Sequence, residues 1–188
     1  MTDSTTAPTE FPGYKAGTWT LDPSHSEVQF SVRHMMISKV RGTFGVKSAT
    51  LTAPENPLEA TVEATVDVAS IDTKDEGRDN HLRSADFFDV ETYPTMEFRS
   101  TGVRIENGDF LVDGDLTIKG ITKSVTFDFD FGGFGTDPWG NYKAGATAKT
   151  VINREDFGLT WNAALETGGV LVGKDVTIEL DLQGSLAA

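Results

Sequence analysis

Three histidines, His25, His34 and His81, are the residues best able to do chemistry in a chain that has no cysteine. Imidazoles bind zinc and relay protons, so together they would suit a metal-dependent enzyme. Their spacing gives that reading little help. None sits in an H-E-x-x-H pattern or at the i, i+4 separation that puts two ligands on one helix face. Asp22-Pro23-Ser24-His25-Ser26 has the composition of a nucleophilic triad. Adjacency along a chain is not triad geometry, no G-x-S-x-G elbow presents a serine, and Asp-Pro-Ser is ordinary turn chemistry before a strand. Paired carboxylates such as Asp86 with Asp89 and Glu155 with Asp156 fit a solvated acidic surface without any acid–base role. Gly132-Gly133-Phe134-Gly135 follows a strand and lacks the Gly-Lys-Ser/Thr and helix of a phosphate loop.

One segment has more to offer. Arg78-Asp79-Asn80-His81-Leu82-Arg83 sets two guanidiniums and an imidazole beside the apolar Phe87-Phe88. It reads either as a charged helix anchored by its phenylalanines or as a lid whose Arg and His meet the polar end of a ligand. The same choice applies to Asn153-Arg154-Glu155-Asp156-Phe157-Gly158 and to Trp161-Asn162.

The elements that must position these residues are strands. Apolar residues alternate at Val28, Phe30, Val32; at Val40, Phe44, Val46; at Val62, Ala64, Val66, Val68; and at Met96, Phe98. The pattern resumes at Phe110, Val112, Leu116, Ile118; at Val125, Phe127, Phe129, Phe131; at Tyr142, Ala144, Ala146, Ala148, Ile152; and at Val176, Ile178, Leu180, Leu182. The opposite parity is polar, as in Thr61, Glu63, Thr65, Asp67. One face is buried and the other wet, which is the habit of antiparallel sheets. Asn107-Gly108, Lys119-Gly120 and Asp137-Pro138-Trp139-Gly140 mark reversals. About eight strands result, the number whose closed barrel leaves room for one small ligand. Periodicity alone does not separate a barrel from a sandwich. Residues 74–90 break the alternation, and one or two short helices are predicted there; a second irregular stretch runs from Asn153 to about Gly169.

Several inward positions are small: Gly42, Ser100, Gly102, Gly114, Ala144, Ala146 and Ala148. A filled core favours Leu and Ile, so these residues predict a cavity, although the taper of a small barrel uses small residues too. An apolar cavity stays dry and prefers an apolar guest. A tail of about 20 carbons gains on the order of 16 kcal/mol gross at roughly 0.8 kcal/mol per methylene, against roughly 4–15 kcal/mol for association and ordering.

Composition narrows the partners. A net charge of -13, from 29 acidic and 16 basic residues among 188, argues against nucleic acid and against lasting residence on an anionic membrane. No apolar run has transmembrane length, and Met-Thr-Asp-Ser-Thr-Thr-Ala-Pro-Thr-Glu lacks the basic start and apolar run of a secretory signal. A cytoplasmic location is expected. Residues 1–17 show no period and are expected to form a flexible N-terminal extension, with Trp19 opening the ordered chain.

At the level of whole motifs the chain resembles a family. Trp19-Thr-Leu-Asp-Pro-Ser-His25-Ser26 and Phe30-Ser-Val-Arg-His34 look like the opening of the YceI-like, polyisoprenoid-binding proteins. Ser70-Ile-Asp-Thr73, the run Arg78–Asp89 and Tyr93-Pro94 resemble its middle. Gly114-Asp-Leu-Thr-Ile-Lys-Gly-Ile-Thr-Lys123 and Asn153-Arg-Glu-Asp-Phe-Gly-Leu-Thr-Trp-Asn162 resemble its later motifs. The resemblance implies an all-β, extended eight-stranded antiparallel lipocalin-like barrel over residues 18–188, often dimeric and holding a long isoprenoid. It implies no catalytic residue and no cofactor beyond the bound lipid.

The expectation is therefore a lipid binder, not an enzyme, that takes a polyisoprenoid or isoprenoid-quinone chain for sequestration, transport or storage. By position, Phe30, Val32, Phe44, Val62, Val66, Phe98, Leu116, Phe127 and Trp161 are candidates for the tail, with Arg78 and His81 for the headgroup. The alternatives are a metal-dependent enzyme using His25, His34 and His81, and a scaffold whose interior is merely packed.

Overall fold

The computed structural model describes residues 12–163, 165 and 171–187. Nine strands form one sheet: β1 Gly17–Leu21, β2 Glu27–His34, β3 Ser38–Ala53, β4 Thr61–Asp72, β5 Thr95–Glu106, β6 Asp109–Ile118, β7 Ile121–Thr136, β8 Tyr142–Asn153 and β9 Val172–Leu186. A helix α1, Glu76–Arg83, lies between β4 and β5, within the stretch where short helices are predicted. Each neighbour in the order β3-β2-β9-β8-β7-β6-β5-β4 is antiparallel, and β4 pairs back to β3. The sheet is closed, so the choice between barrel and sandwich falls to the barrel.

The ninth strand does not add a stave. β1 and β2 run in line between β3 and β9, with Trp19 opposite Leu51 and Leu186, and Phe30 opposite Gly42 and Ile178. A 3-10 turn at Pro23–His25 interrupts them, capped by Asp22, whose carboxylate accepts from Ser24 N at 3.0 Å. Eight staves result, one of them broken.

Turn chemistry sets the reversals. Asn107 and Gly108 have φ of 52° and 85°, and Lys119 and Gly120 have 52° and 74°. Two left-handed residues make the tight hairpin turn whose twist suits the flanking strands.

Bulges change the inward parity in several strands, and three of them bear on the cavity. In β3 the register shifts between Val46 and Ser48, after which Ala49, Leu51 and Ala53 face inward. In β5 it shifts between Ser100 and Gly102, so Val103, opposite buried Val112, takes the inward place. Gly102 therefore corrects the reading by parity: a Cβ there would meet nothing within 4 Å. In β7 the shift falls between Phe131 and Gly133 and brings Phe134 inward. An extra residue in one strand is left unpaired and turns the following side chains over.

Gly42 and Gly114 need a second correction. A Cβ at Gly42 would collide with the Phe30 ring, and one at Gly114 with the Phe98 ring. A neighbouring strand's phenylalanine fills each vacancy, so these glycines create close packing instead of volume.

One end of the barrel is solid. Phe44, Val68, Ile71, Phe87, Met96, Leu116, Ile118, Ile152, Phe157 and Leu159 form a single buried cluster there. α1 closes this end through polar stitches. Buried Asp79 accepts from Thr73 N at 2.9 Å and from Thr73 Oγ1 at 2.5 Å. Arg83 donates to the Ala69 and Ile71 carbonyls at 2.9 and 3.0 Å. Of the irregular stretch 153–169, residues 164 and 166–169 lie outside the described residues; the rest opens with a 3-10 turn, Arg154–Phe157.

Candidate ligand cavity

The opposite end is built differently. From the closed-end cluster outward, Ala144 and Ala146 on β8, Val103 on β5, Val112 on β6 and Leu182 on β9 surround a cavity of about 250 Å³. Phe127, Phe129 and Phe131 line it as a ladder along β7, with ring centroids 6.5 and 6.1 Å apart. Ala146 sits in register with Phe131 and Leu182, so the small side chain on the middle strand leaves the space that its two neighbours border. The lining is apolar almost throughout. Among the described residues no buried side-chain polar atom lacks a hydrogen-bond partner, and a dry apolar space of this kind favours an apolar guest.

Aromatic residues cover the outer side of the cavity. Trp19 packs against Phe134 and Tyr142 with centroids 5.8 Å away in both cases. Tyr14 donates to the Pro54 carbonyl at 2.5 Å, Trp19 Nε1 to the Lys15 carbonyl at 3.1 Å, and Tyr142 to the Gly13 carbonyl. Lys15 Nζ rests 4.0 Å over the Tyr142 ring. Of the expected N-terminal extension 1–17, residues 1–11 lie outside the described residues, while 12–16 fold across this end and Gly17 begins β1.

The candidate tail residues divide between the cavity and the packed end, with Val66, Phe98 and Leu116 at the boundary between them. Val62, Val66, Phe98, Leu116 and Phe127 line the cavity. Phe30, Phe44 and Trp161 belong to the packed closed end, and half-buried Val32 stands opposite Val40 and Val176 near the tip of β2. Arg78 and His81 also stand at the closed end, with their polar atoms engaged. Arg78 donates to Thr73 Oγ1 and to the Thr73 carbonyl, both at 2.8 Å. His81 Nε2 is 2.9 Å from Asp86, and its ring packs edge-on against Phe87 and Trp161 at 5.1 and 4.7 Å. A headgroup role would require these bonds to be given up. Parity had put Ala144, Ala146, Phe129 and Phe131 inside, but nothing in the sequence told which half of the lumen α1 would leave empty.

The histidines are not brought together. β2 separates His25 from His34 by roughly 23 Å at about 3.3 Å per residue, and His81 lies on α1. Among the described residues no group of three His, Asp or Glu is placed to hold a metal. His25 belongs to the turn before β2, with Nδ1 2.7 Å from Asp22 Oδ2, and Ser24 Oγ donates to Asp22 Oδ1 at 2.7 Å. Hydrogen bonds from Ser24 and His25 lower the Asp22 pKa to about 2. A depressed carboxylate stabilises the fold above its ordinary value of 3.8, and that contribution fades as pH falls toward about 2. Urea midpoints measured across this window should fall less steeply in Asp22→Asn than in the parent; equal slopes would remove Asp22 from the acid response.

Buried Arg154 holds the closed end together. Its guanidinium donates to the carbonyls of Gly173, Leu159, Trp161 and Val172 at 2.7, 2.6, 2.9 and 3.3 Å. Burial lowers its pKa below the ordinary guanidinium value, opposed by the nearby Glu155 carboxylate.

Comparison with known proteins places this architecture. A UPF0312 protein of Staphylococcus aureus strain N315 is 41% identical over 172 residues, covering 90% of this chain and 98% of its own. The crystal structure of Burkholderia cenocepacia BcnA superposes with a TM-score of 0.74 at 25% identity, over 87% of this chain and 98% of that one. A polyisoprenoid-binding domain from Saccharophagus degradans, implicated in plant cell wall breakdown, has the same fold, with a TM-score of 0.69 at 15% identity over 90% of this chain and 98% of that one. The model of the YceI-like domain matches residues 19–184, nearly the whole barrel from Trp19 to Gly184, and the chain belongs to the YceI-like family.

Proposed function

We propose that this protein is a lipid carrier that takes the apolar chain of a polyisoprenoid, or of an isoprenoid quinone, into the open half of its barrel for sequestration, transport or storage. The observation that carries the reading is an apolar cavity walled by strands from all around the barrel and floored by the closed-end cluster. The shared fold of a polyisoprenoid-binding domain supports the same class of guest. Of the candidate tail residues, Val62, Val66, Phe98, Leu116 and Phe127 already border the space.

The volume shapes the guest. At about 250 Å³ the cavity is slightly below the range of roughly 300–1,000 Å³ usual for drug-sized ligands. A slim, flexible chain can thread it, with the Phe127, Phe129 and Phe131 rings along one wall. With almost no polar lining, affinity must come from methylene burial. In a series of prenyl or alkyl alcohols, dissociation constants should fall about fourfold per methylene until the cavity is full and then level off. Organic extraction of gently purified protein should yield a stoichiometric apolar molecule. No extractable lipid together with no chain-length dependence would reject the carrier reading. Among the described residues no helix is long and apolar enough to cross a membrane.

A further inference from the structure

The hairpin joining β2 and β3 concentrates local costs that folding does not explain. Its tip, Met35-Met36-Ile37, is exposed to 44%, 56% and 83%. Met35 and Met36 both hold left-handed backbone, at φ of 54° and 61°, where Asn-Gly would sit without strain. Directly below, Arg33 pairs across the strands with Lys39, and like charges in facing positions repel. Three unfavourable choices meet at one tip, the pattern expected where function overrides local preference.

The charge around the tip is equally out of character. In a chain of net charge -13, no acidic side chain occurs between Glu27 and Glu55, while Arg33, Lys39, Arg41 and Lys47 all fall there. Among the described residues none of these four joins an ion pair; nearby Lys174 on β9 is taken by Glu155 at 3.5 Å. The Arg33 guanidinium donates instead to the Met36 carbonyl at 3.3 Å, which fastens a cation to the base of the apolar tip.

We propose that the β2–β3 tip docks the protein reversibly on an anionic lipid bilayer, with Met35, Met36 and Ile37 entering the interface and Arg33, Lys39 and Arg41 meeting headgroup phosphates. An apolar point ringed by unpaired cations matches the chemistry of that surface, and each basic contact is worth about fivefold in partitioning. The acidic remainder of the molecule is repelled, so attachment is weak and sensitive to salt. A second copy of the chain fits less well, because two such tips facing each other across a two-fold axis would set cations against cations. This inference does not depend on the carrier reading.

The test uses the full chain and vesicles of phosphatidylcholine alone or in equal mixture with phosphatidylglycerol, read by co-sedimentation. The parent should bind the mixed vesicles and lose them at high salt. A double variant, Met35→Asn with Met36→Gly, relieves the backbone strain. It should melt at a higher temperature yet bind mixed vesicles at least about tenfold more weakly, since two of the three inserting side chains are gone. Arg33→Gln with Lys39→Gln should weaken binding about 25-fold by loss of two basic contacts. Equal binding by parent and variants overturns the proposal, as does binding indifferent to phosphatidylglycerol. Loss of a dimer in the variants without any vesicle binding by the parent overturns it in favour of self-association. Extracted lipid, measured on the same preparations, reports the carrier reading separately.

Discussion

Replacing Arg154 by Met should destabilise the fold by about 2–4 kcal/mol, the largest loss expected from a single side chain outside the apolar core. The methionine keeps the length of the stem but donates nothing. Carbonyls of Leu159, Trp161 and Gly173 then lose the guanidinium as donor, while that of Val172 keeps the Asn162 amide at 2.8 Å. Each unsatisfied carbonyl costs about 1–3 kcal/mol, less wherever water reaches it, and relief of the buried guanidinium offsets part of the sum. Arg154→Lys should recover less than half, since one ammonium cannot span two chain segments as the planar fork does. Urea unfolding should show a lower midpoint at unchanged slope, and amide exchange should quicken at residues 159–163 and 172–173 before it does so elsewhere. A shift below about 1 kcal/mol would mean that the two segments are held by packing alone.

That residue also shows how far the sequence could be read. In sequence, Asn153–Gly158 reads either as a charged segment anchored to the barrel or as a lid whose polar side meets a ligand. The structure instead turns the guanidinium inward to carbonyls contributed by two segments up to 19 residues downstream. Which acceptors surround a buried cation is a property of the tertiary fold. The strands themselves were legible, since a sheet wet on one side writes its period into the chain. Closure into a barrel was carried by family motifs, not by alternation. Bulges were the main obstacle to placing the cavity. An extra residue at Ser100–Gly102 leaves the composition of β5 unchanged but exchanges Gly102 for Val103 on the inner face. Small inward residues were ambiguous for a related reason. Gly42 and Gly114 lie beneath phenylalanine rings from adjoining strands, whereas Ala144 and Ala146 border empty space. The difference lies in the cross-strand partner, which one strand's sequence does not name.

Ala146 follows from that distinction and gives the sharpest test of what the lumen is for. Ala146→Trp should project an indole between Phe131 and Leu182 and occupy much of the 250 Å³ cavity. Excluding about four methylenes of a bound chain removes roughly 3 kcal/mol, so affinity for a long prenyl or alkyl alcohol should fall about 100-fold. The ligand-free protein should lose less than about 1 kcal/mol, or gain stability, because the ring fills space that no atom now occupies. A packed scaffold predicts the reverse: overpacking costs about 1–3 kcal/mol, and there is no binding to lose. Ile71→Phe supplies the internal reference, since Ile71 is 1% exposed within the closed-end cluster. It should show the overpacking penalty and leave affinity within about threefold of the parent. Titration calorimetry with the alcohol and urea unfolding of each apo protein read both quantities. If Ala146→Trp is penalised as heavily as Ile71→Phe and the parent takes up no chain, the lumen is a filled core and the carrier reading fails. If affinity collapses while apo stability holds, the cavity half of the barrel is a binding site, kept free by alanines on β8 that neighbouring rings do not cover.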